Sequence, residues 1–71
     1  MRHTIVAELV GNVLRVAVKE GDQVAAGDTI VLLESMKMEI PVLTEVAGVV
    51  SDVAVSEGDN VQEGDVLAVV E

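Results

Sequence analysis

Valine-rich stretches separated by short Gly-Asp steps run the length of this chain. Near the N-terminus, Ile5, Val6, Leu9, Val10, Val13 and Leu14 recur at a spacing that would suit an amphipathic helix. Three features select strands instead. Valine is β-branched and prefers extended backbone. Gly11 and Gly48 interrupt the would-be helices. After Gly11 the pattern alternates, with Leu14, Val16 and Val18 facing one way and Arg15, Ala17 and Lys19 the other. Each Gly-Asp step offers a residue tolerant of positive φ and a side chain that bonds nearby backbone, so each marks a turn. The pattern predicts strands at about 4–7, 11–18, 23–25, 29–35, 38–42, 48–55, 60–62 and 66–71. Pro41 has no N–H to donate, which places its strand at a sheet edge or makes it a strand start.

The pattern is also written twice. Residues 11–34, "GNVLRVAVKEGDQVAAGDTIVLLE", align without a gap on residues 48–71, "GVVSDVAVSEGDNVQEGDVLAVVE", at an offset of 37, and 12 of the 24 pairs are identical. Two copies are too few for a stacked array, which needs three or more units. They predict one quasi-symmetric domain over residues 1–71, all-β, with two small four-stranded antiparallel sheets packed face to face. Such a pseudo-two-fold would put the 35–38 link at one end of the molecule, as a hairpin, and the chain termini at the other.

Composition narrows the function. The chain has 71 residues, so it buries roughly 60% of its unfolded surface and has a small core. It has no cysteine, which excludes disulfides and thiolate metal sites. It has no aromatic residue, and 17 valines supply much of the apolar half of the composition. A net charge of -9 disfavours nucleic acid and favours partners with basic surfaces. The N-terminal stretch "MRHTIVAELVGNVL" has no long uncharged apolar run, so neither a signal peptide nor a membrane span is expected. The expected protein is a cytoplasmic monomer. His3 is the only histidine and has no accompanying ligand cluster. Asp22, Asp28, Asp59 and Asp65 do not have calcium-loop spacing, and turn chemistry accounts for them. No phosphate-binding glycine loop or nucleophilic triad is present, so an independent enzyme is not expected.

The unrepeated link opens with "ESMKMEI", residues 34–40. A two-residue hairpin favours Asn-Gly or Asp-Gly, and Met-Lys is a poor substitute. An exposed lysine is ordinarily a solvated surface charge. Lys37 differs because it stands at the centre of the repeat, on a tip with unsuitable turn residues. Lys19, whose repeat mate is Ser56, has no such distinction. Lysine's amine is a nucleophile once an enzyme deprotonates it. Met36 and Met38 offer adaptable apolar surface to a partner's pocket.

The double "GD.V..GD" series around a central "ESMKME" resembles the biotinyl/lipoyl attachment domains, in particular the biotin carboxyl carrier type, over nearly the whole chain. The resemblance implies a flattened β-barrel, or barrel-sandwich. Lys37 matches the lysine that forms an amide with biotin, attached by a biotin protein ligase. The carrier would then move a carboxyl group between biotin carboxylase and carboxyltransferase sites and catalyse nothing itself. Lipoyl domains, loaded by a lipoyl ligase, share the pattern but usually carry an acidic residue before the lysine and a small apolar one after it. Met36 and Met38 therefore favour biotin. Glu34 occurs in both types, whereas Ser35 stands closer to the lipoyl pattern, which keeps lipoate, or either cargo, open. Glu34, Ser35, Met36 and Met38 would be read by the ligase. The chain departs from the family with "AELVG" before the first copy and "TEVAG" before the second, where Pro-containing turns are common. No extra thumb loop is inserted, and the chain is expected to begin and end with the domain. A third reading, of another class, is an unmodified acidic assembly domain.

Overall fold

The computed structural model describes residues 2–71. Strands form at His3–Val6 (β1), Gly11–Val16 (β2), Gln23–Val24 (β3), Thr29–Ser35 (β4), Met38–Leu43 (β5), Gly48–Val53 (β6), Asn60–Val61 (β7) and Val66–Val70 (β8). They make two antiparallel four-stranded sheets, in the orders β1-β8-β6-β3 and β5-β4-β2-β7. The expected all-β flattened barrel is therefore present. A shift of 37 residues carries each strand of one sheet onto a strand of the other. The short strands change places: β3, from the first copy, pairs with β6, and β7, from the second, pairs with β2.

The Gly-Asp turns lock this exchange. In the first, the Asp22 N–H donates to the Lys19 carbonyl at 3.1 Å, and the Lys19 N–H donates to Asp22 Oδ2 at 3.0 Å. Gly21 at φ 94° supplies the positive φ of a type II turn. Asp28, Asp59 and Asp65 accept equivalent bonds from Ala25, Ser56 and Gln62. The turn then binds the other copy: the Gly21 N–H donates to the Val50 carbonyl at 2.8 Å, and the Val50 N–H to the Asp22 carbonyl at 2.9 Å. Gly58, Asp59 and Val13 repeat these bonds in the second copy. Each half satisfies its backbone through the other.

The core is aliphatic. Val13, Ile30, Val31 and Leu33 of the first copy meet their repeat mates Val50, Leu67, Ala68 and Val70, together with Ile5, Ala7, Val24 and Val61. Fully burying a side chain such as Ile30 or Leu33 is worth roughly 1.5–3 kcal/mol. Bulges adjust the alternation. Pairing steps from Thr29–Leu43 to Val31–Val42, so Ile30 is an extra residue, and Ile30 and Val31 are both buried. A second bulge lies between Val13 and Arg15. It corrects one expectation: Leu14 does not share the half-buried face of Val16 and Val18 but is exposed. Its repeat mate is the polar Ser51. Strands β2 and β6 also end two residues before the expected 18 and 55. Beyond them only one rung continues in each, from Ala17 to the Ile30 carbonyl and from Ala54 to the Leu67 carbonyl, before the chain leaves for its turn.

Strands β1 and β5 are edges and face each other across an open groove. Pro41 sits in edge strand β5, opposite Leu32. Counting rungs from the hairpin, its missing N–H would point away from β4, so Pro41 costs no ladder bond and blunts the edge.

Candidate functional site

The link between the copies is a two-residue hairpin, closed by the Ser35–Met38 pair. Met36 has φ 53° and Lys37 φ 65°. Two positive φ values in succession make a type I′ turn, whose twist matches that of the flanking strands. Among the described residues these are the only non-glycine positions with positive φ. All four positive-φ glycines lie in the Gly-Asp turns. Among the described residues glycine thus fills every other positive-φ position, and at the tip it is replaced by two residues that adopt this conformation at a cost. Backbone strain of this kind concentrates at functional positions.

The tip stands clear of the body. Met36 is 91% exposed and Met38 61%, and Lys37 is exposed between them. Below the tip, Ser35 is half-buried and its Oγ donates to the Val10 carbonyl at 2.8 Å, tying the hairpin base to the 7–10 loop. Glu34 and Glu39 lie directly opposite each other and are both exposed, so two carboxylates share one face beneath the lysine. Facing like charges disfavour the pairing slightly, an arrangement the hydrogen-bonded ladder tolerates at a solvent-facing position. Beside the hairpin lies a shallow depression lined by Leu9, Val10, Asn12, Ser35, Met36 and Asn60.

The five residues expected to act together, Glu34, Ser35, Met36, Lys37 and Met38, fall on one hairpin. Val10 was not singled out from the sequence, yet it is 65% exposed and its carbonyl holds Ser35. The available signal was its repeat mate, the smaller Ala47. His3 opens β1 and pairs with Val70, at the end where Glu71 and Val49 exchange hydrogen bonds. The hairpin lies at the other end, because Thr44 leaves β5 beside Asp28, at the far end of β4, before the chain reaches Val49. The lysine thus has no histidine beside it. Its amine, once deprotonated, can attack an activated acyl group.

A family model described as "Biotin-requiring enzyme", the biotin/lipoyl model, matches residues 3–70. The chain belongs to the biotin/lipoyl attachment family. Among its curated relatives, the "Biotinylated protein TB7.3 homolog" of Mycolicibacterium smegmatis is 65% identical over 43 residues, which is 61% of this chain and 61% of that protein. The chain therefore spans about three-fifths of that relative's length in the match. Among solved structures, the Kluyveromyces lactis urea carboxylase superposes with a TM-score of 0.93 at 31% identity, covering 100% of this chain and 6% of that one. The lipoyl domain of the Azotobacter vinelandii 2-oxoglutarate dehydrogenase complex superposes at 0.76 with 28% identity, covering 94% of this biotin/lipoyl domain and 95% of that one. A segment of a carboxylase and a lipoyl domain thus share this fold.

Proposed function

We propose that this protein is a non-catalytic carrier that accepts biotin as an amide on Lys37 and serves a biotin-dependent carboxylase. The observation that carries the reading is the type I′ tip, where Met36 and Lys37 occupy left-handed positions that glycine fills elsewhere in the chain. The biotinylated relative and the close superposition on urea carboxylase support biotin as the cargo. The residues fit the group. Lys37 is solvent-exposed on a turn held between two paired strands, so a long substituent extends outward without displacing core side chains.

In this reading a biotin protein ligase presents the cargo's carboxyl group as an adenylate. Lys37 Nζ, deprotonated by the ligase, attacks the carbonyl carbon, the amide C–N bond forms, the bond from that carbon to the adenylate's phosphate oxygen breaks, and AMP leaves. Met36 and Met38 enter apolar depressions on the ligase, while Glu34 and Ser35 set the approach of the hairpin. Once bound, biotin supplies a ureido nitrogen that carries a carboxyl group between a biotin carboxylase and a carboxyltransferase. The domain holds the arm at a fixed end of a rigid body, which raises the local concentration of the cargo at both partner sites. A cytoplasmic location and a monomeric state belong to the same proposal.

A second reading, lipoate on the same lysine, is favoured by Ser35 and by the shared fold of the lipoyl domain. Intact mass separates the two. Incubation with biotin, ATP and a biotin protein ligase is expected to add one biotinyl group to the wild type and none to Lys37→Arg. Biotin that attaches equally to the variant would overturn the site. A lipoyl ligase that modifies the protein when the biotin ligase does not would overturn the choice of cargo.

A further inference from the structure

The two thioether side chains that flank Lys37 stand open at the tip. Met36 and Met38 are 91% and 61% exposed. The chain contains no cysteine, so no thiol competes with them for an oxidant. Among the described residues the buried core contains no methionine. Oxidation at the tip therefore changes the surface that a ligase meets and leaves the packing intact. Thioether oxidation follows solvent access, and the sulfoxide is reversible.

We propose that Met36 and Met38 form a reversible oxidative-modification site that controls whether Lys37 accepts its cargo. The inference rests on the biotin-carrier reading above. In the forward step the thioether sulfur attacks one oxygen of hydrogen peroxide: the S–O bond forms, the O–O bond breaks, the sulfur is oxidised by two electrons to the sulfoxide, and the other oxygen leaves as water. In the reverse step two thiols of a sulfoxide reductase system supply the electrons, become a disulfide and release water. The oxidised side chain is polar and carries a new acceptor. A ligase depression shaped for a flexible apolar chain must then bury an unpaired S=O, which costs binding.

The test uses the full unmodified protein. It is treated with hydrogen peroxide, mapped by peptide mass spectrometry, and then offered to a biotin protein ligase with biotin and ATP. Oxidation at Met36 and Met38 is expected to slow biotin attachment about tenfold or more, with an unchanged circular-dichroism melting curve. Treatment with methionine sulfoxide reductase and a dithiol is expected to restore the rate. A Met36→Leu/Met38→Leu variant, compared with its own untreated rate, is expected to lose nothing on peroxide treatment. Mapped sulfoxides with an undiminished rate, a loss that the reductase does not reverse, or a melting curve shifted by peroxide would each overturn the proposal. Untreated protein that takes no biotin overturns the carrier reading as well. Untreated protein that is biotinylated, with the oxidised form keeping pace, overturns only the oxidation site.

Discussion

Replacing the tip pair with the residues its turn prefers, Met36→Asn with Lys37→Gly, should stabilise the domain while removing its acceptor. Both residues hold left-handed backbone, at φ 53° and 65°. Such a conformation costs an ordinary L-residue roughly 1–2 kcal/mol, so the pair carries about 2–4 kcal/mol. Asparagine tolerates the region but keeps part of the cost, and glycine returns up to about 1 kcal/mol through the greater freedom of the unfolded chain. The net gain expected is about 1–2 kcal/mol. For a domain of this size, that raises the melting temperature by roughly 4–16 °C. Met36 is 91% exposed, so its removal forfeits little packing and the backbone term dominates. Far-UV circular dichroism is the assay, because the chain has no aromatic residue to report by fluorescence. Lys37→Gln serves as the control for the lost charge, with a change within about 0.5 kcal/mol. A double variant that melts at or below the wild-type temperature would refute the claim that the tip is strained.

Two further outcomes test the symmetry and the close contacts of the fold. Asp28→Ala and Asp65→Ala each remove one 2.9 Å turn bond at equivalent positions, and both are expected to cost about 0.5–1.5 kcal/mol, equal to each other within error, in urea unfolding. Gly11→Ala places a methyl group 2.7 Å from the Glu34 carbonyl oxygen, where β2 starts beside the hairpin base. It should destabilise the domain by about 1–3 kcal/mol, seen as a lowered urea midpoint, with the largest amide shifts along β2 and β4.

Much of this was legible because the signals are local. The Gly-Asp steps named their turns, since a positive φ and a carboxylate that reaches an N–H three residues back are properties of four consecutive residues. Valine and alternation marked the strands, and Pro41 marked the edge strand on which it is found. Leu14 was misplaced because a bulge between Val13 and Arg15 is decided by the partner strand, which the run of residues does not display. The hairpin was placed correctly for a similar local reason: the repeat stops at Glu34, and Met-Lys stands where a better turn pair was available. Ser35 was noticed as an oddity of pattern, but its bond to Val10 joins residues 25 positions apart and needed the folded chain.

By itself, the sequence determined the strand content, the turns, the duplication and the single unusual lysine, because β-branching, glycine φ freedom and Asp side-chain bonds act over a few residues. The tertiary structure decided which copy each short strand joins, where bulges turn two adjacent residues inward, and that Met36 and Lys37 are held in left-handed backbone. These depend on closing two sheets around one core. Strand partners are chosen by long-range burial, and the β4–β5 register, closed at Ser35 and Met38, holds the tip in the tight turn that presents Lys37 to solvent.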